Sequence, residues 1–284
     1  MRLVNLFVIG AMKSGSTTLH EILNRNPDIY MSTEKEPGFF VPEIWKSRRP
    51  EEYYSLFCQA GNAMYCGESS THYTKIPTYE GVPNRIHDYN GNARIIYIMR
   101  DPIKRLISHY HHAVRDLYFY GETRSILRAI REDPMYIAYS DYSMQIKPYI
   151  ELFGTKHVYT LTLEQLIAAP NKTVKAIFNW LSVTPDIDLD NTITANKAPL
   201  IYTRAKGTGY LNRFRYSGVW EAFYRLVPKP IRQLCVRLAE TKAEGIAISE
   251  KEITELKDHL IPIFQKKMNE LRVITGREYN EWKL

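Results

Sequence analysis

Apolar residues first gather at Leu3 to Ile9, a run rich in β-branched side chains that ends at Gly10, and they return at helical spacing through Ser16 to Asn24. A strand, a tight loop and a helix are predicted there. Pro27 to Met31 predicts a short second strand, Glu51 to Phe57 a short helix and Ala63 to Glu68 a third strand. The segment Arg94-Ile95-Ile96-Tyr97-Ile98-Met99 is nearly all apolar, as a parallel strand buried on both faces is, and it stops at Arg100-Asp101-Pro102. Asp101 reads as a helix N-cap with Pro102 at the first helical position. Ile103, Leu106, Tyr110, Ala113, Val114 and Leu117 then share one helical face. Ser140 to Phe153 and Lys172 to Leu181 carry helical periodicity, with a strand from His157 to Leu161 between them.

Alternation of this kind predicts an α/β fold, a three-layer domain with a central, mainly parallel sheet flanked by helices. From Thr184 to Tyr210 the periodicity is lost and Asn, Thr, Lys, Pro and Gly accumulate. A loop of that length is expected to be functional or mobile. Val219 to Glu240 and Ser249 to Ile274 read as helices, the second capped by Ser249 and stopped before Gly276.

Composition narrows the partners. The 284 residues include 38 Lys+Arg and 31 Asp+Glu, a formal charge of +7 that favours anionic ligands. The basic residues are scattered instead of forming an arm, so nucleic acid is not the expected partner. Three cysteines, Cys58, Cys66 and Cys235, have no C-x-x-C spacing, which argues against a disulfide framework or a thiolate metal site. The opening apolar run is too short for a signal peptide, and no stretch reaches the ~18 apolar residues of a membrane span. A cytoplasmic location is the resulting expectation.

Chemistry enters with Gly10-Ala11-Met12-Lys13-Ser14-Gly15-Ser16-Thr17-Thr18 between the first strand and its helix. A glycine-bearing turn that presents backbone N–H groups and a positive helix end suits phosphate or sulfate oxygens. The spacing Gly10-x-x-x-x-Gly15 equals that of a P-loop, but Ser16 stands at the P-loop lysine position and the lysine sits inside the loop at Lys13. A metal-dependent nucleotide kinase, with Asp101 imitating a metal-binding aspartate, is therefore the second reading. A noncatalytic polyanion-binding protein is the third.

Lys13-Ser14-Gly15-Ser16-Thr17-Thr18 resembles the 5′-phosphosulfate loop of sulfotransferases that use 3′-phosphoadenosine-5′-phosphosulfate (PAPS). Arg100 to Tyr110 resembles their 3′-phosphate segment. Lys35-Glu36-Pro37-Gly38-Phe39-Phe40 is similar to a segment of the heparan-sulfate and bacterial carbohydrate branch. Leu163-Glu164-Gln165-Leu166, Trp180-Leu181 and Tyr279-Asn280-Glu281-Trp282 resemble further landmarks, so the likeness runs through nearly the whole chain. It implies a P-loop-like domain over residues 1–284, with 184–210 as a lid over nucleotide or acceptor and 211–284 as C-terminal helices.

The resemblance also implies roles. Lys13 and Ser14 to Thr18 would hold the 5′-phosphate of PAPS, and Arg100 with Ser108 the 3′-phosphate, leaving adenosine 3′,5′-bisphosphate as product without a metal. Lys197, Arg204 or Lys206-Gly207 would add a basic contact from the long loop. Glu36 is the first candidate for general base and His72 the second; the lysine that animal enzymes often carry near His72 is replaced here by Ser69. His109, His111 and His112 read as helix surface or acceptor cleft, and Tyr118 to Tyr120 as an acceptor entrance. The acceptor, a hydroxyl or amine of a saccharide or small metabolite, and the oligomeric state lie beyond the sequence.

Overall fold

Strand β1 (Leu6–Gly10) is buried along its whole length because it has a neighbour on each side, pairing in parallel with β3 (Tyr65–Ser69) and with β4 (Arg94–Met99). β2 (Ile29–Met31) joins the far edge of β3, and β5 (Val158–Thr162) joins β4. The sheet order is β2-β3-β1-β4-β5, with every pairing parallel. The computed structural model describes residues 3–115, 122–184, 201–205, 240–244, 248–282 and 284, with backbone alone at 115, 201–205 and 240–244.

Successive strand residues feed two cores, which makes the layering three-fold. Phe7, Ile9, Cys66, Ile95, Tyr97 and Met99 face one core, where they meet Tyr142, Ile146 and Tyr149 of α8 (Tyr142–Phe153) and Met268 and Leu271 of α11 (Glu250–Thr275). Leu6, Val8, Ile96, Ile98 and Leu161 face the other, against α1 (Ser16–Leu23) and α10 (Pro170–Leu181). At about 1.5–3 kcal/mol for each fully buried large apolar side chain, these two faces are the main favourable term in folding.

The chain divides into two compact units, the first made of Met1–Leu106, Asp133–Ala195 and Lys257–Leu284 and the second of Ile107–Glu132 and Asn196–Leu256. The first holds the parallel sheet. Its other helices are α2 (Pro42–Trp45), α3 (Pro50–Ser55), α4 (Val82–Tyr89), α7 (Met135–Ala138) and α9 (Leu163–Ala168). The second contains the end of α5 (Pro102–Arg115), α6 (Ile126–Glu132) and a two-stranded antiparallel sheet of β6 (Ile201–Ala205) and β7 (Glu240–Glu244). Within it the Arg124 guanidinium is paired with Glu122 at 2.6 Å and Glu132 at 3.3 Å, and Tyr110 donates to Arg124 O.

Most expected elements appear within a residue or two. Asp101 caps α5 by accepting from Lys104 N at 2.9 Å, and Ser249 caps α11 in a reciprocal pair with Glu252. Two expectations are corrected. Ile201–Ala205 is a strand and not loop, as its Ile, Tyr and Thr favour, and Glu240 begins a strand instead of ending a helix. The rest of the expected lid, the helix from Val219, Tyr118 to Tyr120 and Cys235 lie outside the described residues. Among the described residues no helix is long and apolar enough to cross a membrane.

Candidate active site

Parallel strands place their carboxyl ends on one edge, so the segments after β1, β2, β3 and β4 meet there, next to the point where the sheet order reverses around β1. The segment after β1 turns sharply. Gly10, Lys13 and Gly15 all have positive φ (146°, 67° and 90°), and Gly15 leads into α1 without a side-chain cap. Left-handed residues next to a helix start aim successive N–H groups at one point, an oxyanion nest. A side chain fits at neither glycine. A Cβ on Gly10 would lie 2.1 Å from Thr74 Oγ1, and one on Gly15 would lie 2.7 Å from Leu163 Cδ1.

The loop is braced from behind. Thr74 Oγ1 donates to Ile9 O at 2.8 Å, and Ala11 N donates to Ile98 O at 2.6 Å. Ser14 is fully buried, and its Oγ makes no well-formed hydrogen bond among the described residues. It lies beside the Tyr142 hydroxyl, whose own proton goes to Arg100 O at 2.6 Å. Ser16 is buried, Thr17 exposed and Thr18 half-buried, as successive positions on one helical turn must be. A cradle with no room for a Cβ at either glycine, and with a buried hydroxyl that lacks a well-formed hydrogen bond, fits a bound phosphate or sulfonate ester.

Arg100, at the end of β4, brings the second basic group to this cradle: its Nη1 lies 3.5 Å from Lys13 O. The next residue is tied down by Glu164, whose carboxylate accepts from Asp101 N at 3.1 Å and from Trp282 Nε1 at 2.9 Å. Two of the landmark segments noted in the sequence are thus structural supports of the Arg100 turn. Asp101 uses Oδ1 for its helix cap, the role that the Arg100-Asp101-Pro102 sequence predicts for it.

The two candidate bases prove to be neighbours. Glu36 has φ 62° in the turn after β2, and its N–H donates to Ser69 O at 2.9 Å. Its Oε1 meets Lys35 Nζ at 2.5 Å; its Oε2 accepts from Thr71 N (2.7 Å) and Thr71 Oγ1 (2.9 Å) and lies 3.4 Å from His72 Nδ1. Burial pushes the Glu36 carboxyl up, but the contacts with His72 and Lys35 outweigh it and hold the carboxyl at about 2. Glu36 is therefore ionised throughout the neutral range, with most of its lone pairs already used.

The turn that carries Glu36 is pinned from below. Glu68 is fully buried and accepts from Tyr53, Tyr73 and Ser70 hydroxyls at 2.7–2.8 Å, while Ser70 Oγ accepts from Gly38 N at 3.0 Å. Burial drives the Glu68 carboxyl up to about 7 against the pull of those hydroxyls. Phe39 stacks on Tyr53 with centroids 4.0 Å apart, and Phe40 packs edge-on to Phe7. Ser69, at the position of the missing lysine, contacts His20 Nδ1 at 2.9 Å. Burial, and then the Lys35 charge, lower His20 to about 4, so it is neutral at pH 7.

Sequence reasoning missed Lys35 and Thr71 as partners of Glu36, together with His20, Lys75 and Arg105. Burial and cross-strand adjacency mark them, and neither shows in a lone polar residue. Ser108 is half-buried on α5 within the second unit. Of the two expectations for these histidines, helix surface or acceptor cleft, burial excludes the surface for His109, one turn from Leu106 and Ala113; His111 and His112 are half-buried. Among the described residues no three His, Cys, Asp or Glu are placed to share a metal ion. Lys197, Lys206, Gly207 and the side chain of Arg204 lie outside the described residues.

A strand–turn–helix oxyanion cradle at the switch point of a parallel sheet, with a second basic group at the adjacent strand end, defines a P-loop-like α/β protein. A sequence model of the sulfotransferase family matches residues 5–186, and the chain belongs to that family. A membrane-associated sulfotransferase (kil1) of Dictyostelium discoideum is 32% identical over 118 residues, 40% of this chain and 24% of that protein. Heparan sulfate glucosamine 3-O-sulfotransferase 6 of Mus musculus is 23% identical over 217 residues, 73% of this chain and 61% of that protein. The chain thus spans between about a quarter and three-fifths of the length of these two curated relatives. The crystal structure of a sulfotransferase from Alicyclobacillus acidocaldarius matches the fold with a TM-score of 0.69 at 22% identity, covering 99% of both chains.

Proposed function

We propose that this chain transfers a sulfuryl group from PAPS to a hydroxyl or amine of a saccharide or small-molecule acceptor. The observation that carries the reading is the approach of Arg100 Nη1 to within 3.5 Å of Lys13 O, which joins two basic segments far apart in sequence at one glycine-lined cradle. Relatives named for carbohydrate and heparan sulfate acceptors favour a saccharide.

The donor supplies an activated sulfonate on its 5′-phosphate. Lys13 and the N–H groups of Ser14 to Thr18 would hold that phosphate and stabilise the charge that builds on the bridging oxygen as the S–O bond breaks. Arg100 would present its planar donors to the 3′-phosphate. An acceptor hydroxyl needs a base. Glu36 already accepts from Thr71 twice and from Lys35, and its Oε2 lies 3.4 Å from His72 Nδ1 without a well-formed hydrogen bond, so it is better suited to stabilising a protonated His72 by its charge than to taking the proton itself. His72 then receives the acceptor proton through its other nitrogen while the acceptor oxygen bonds to sulfur, in the carboxylate–histidine logic of hydrolytic triads.

The test is transfer of radiolabelled sulfate from PAPS to a panel of oligosaccharides and small alcohols in EDTA. Label should reach at least one saccharide, and Lys13→Ala and His72→Ala should abolish or severely reduce transfer. Undiminished transfer in Lys13→Ala would overturn the assignment of the cradle.

A further inference from the structure

Lys75 follows directly on the 3-10 turn Thr71–Thr74 that carries His72, and it is only 5% exposed. Among the described residues its ammonium has no hydrogen bond and no ion pair; its electrostatic neighbours are Glu36, which attracts it, and Arg105, which repels it. The side chain is thus enclosed by the fold, while its ammonium has no neutralising partner among the described residues. The backbone nevertheless holds it firmly in place. Thr74 is bonded to Ile9 O beneath the Gly10 turn, and Gln145 clamps Ile76 from both sides, accepting from its N–H at 3.0 Å and donating to its carbonyl at 2.8 Å.

Arg105 deepens the imbalance. It is fully buried, and among the described residues it is bonded only to neutral groups, Ser140 Oγ and Tyr136 O, with no hydrogen-bond partner at Nη1. Two enclosed basic side chains that influence each other, neither in a direct ion pair among the described residues, make a region that favours an added anion. Lys75 senses the Glu36 charge, and it follows Thr74, which is bonded to Ile9 O beneath the Gly10 turn, so its place in the chain lies between the candidate base turn and the cradle.

We propose that Lys75 binds the sulfonate oxygens of the donor and supplies the positive charge that Ser69 lacks. The proposal rests on the PAPS reading of the cradle. As the S–O bond to the bridging oxygen breaks and the bond to the acceptor forms, the Lys75 ammonium would keep its hydrogen bonds to the same sulfonate oxygens, with no proton changing hands at Lys75.

Titration calorimetry on the full chain separates this proposal from the reading beneath it. Adenosine 3′,5′-bisphosphate, which has no sulfonate, should bind wild type and Lys75→Met equally, whereas PAPS should bind Lys75→Met about tenfold more weakly or worse. Ligand-free Lys75→Met should melt at or above the wild-type temperature, because the substitution removes an unpaired charge. Lys75→Gln, tested beside it, should show the same selective loss. Equal PAPS affinity in wild type and variants overturns the proposal, and a raised acceptor KM in that case assigns Lys75 to an acceptor anion instead. Variants that fail to fold or melt lower show an ammonium serving the fold, which also overturns it. Wild-type protein that binds neither ligand refutes the donor reading itself, and the proposal with it.

Discussion

Replacing Gly10 with alanine attacks the cradle at its most constrained point. The backbone there has φ 146°, a conformation that side-chain-bearing residues rarely adopt, at a cost of about 1–3 kcal/mol. The new Cβ would stand 2.1 Å from Thr74 Oγ1, so Thr74 must move. That displacement breaks its 2.8 Å bond to Ile9 O, worth about 1 kcal/mol, and overpacks a buried site at about 1–3 kcal/mol more. The sum is roughly 3–7 kcal/mol, a large part of the ~5–15 kcal/mol that stabilises a typical domain. Urea denaturation followed by tryptophan fluorescence should show the midpoint falling, and calorimetry in the surviving folded protein should show loss of adenosine 3′,5′-bisphosphate binding. Gly10→Ala/Thr74→Ala should recover part of the stability, since it relieves the overlap but leaves the backbone strain, making the two changes non-additive. Wild-type stability and binding in Gly10→Ala would refute the reasoning.

Two other expectations concern the base. His72→Ala should lower kcat about 10²–10⁴-fold while bisphosphate affinity, read by calorimetry, stays at the wild-type value; a loss under threefold would return the proton to Glu36. Glu36, held at about 2 against an ordinary 4.5, contributes stability that is present above about pH 4.5 and lost as pH falls through about 2, of the order of 3 kcal/mol. The melting temperature should accordingly fall more steeply over that window in wild type than in Glu36→Gln, and parallel acid profiles would contradict the ion pairing.

The inner strands β1 and β4 were legible because they are buried on both faces, which leaves almost unbroken apolar runs such as Arg94 to Met99. The cradle was legible because its constraint is written in glycines. By contrast, Glu36 and His72 looked like rivals, since the parallel pairing of β2 with β3 that brings their segments together is a long-range fact. Lys75 and Arg105 went unremarked for a related reason: a lysine after Thr74 and an arginine on a helix look solvated until packing encloses them. Helix α4 has only Val82, Pro83 and Ile86 buried, too little for periodicity to announce it. Strand β6 pairs with residues nearly forty positions away, and no local pattern points to them.

The central claim is that the Lys13 cradle and Arg100 form one PAPS site. The direct measurement is calorimetric titration of the full chain with adenosine 3′,5′-bisphosphate in EDTA, with Lys13→Ala and Arg100→Ala beside it. Saturable binding by the wild-type protein that is lost in both variants is the predicted result. No binding of the bisphosphate, with ATP bound only when Mg²⁺ is supplied, would contradict the claim and restore the nucleotide-kinase reading of the loop.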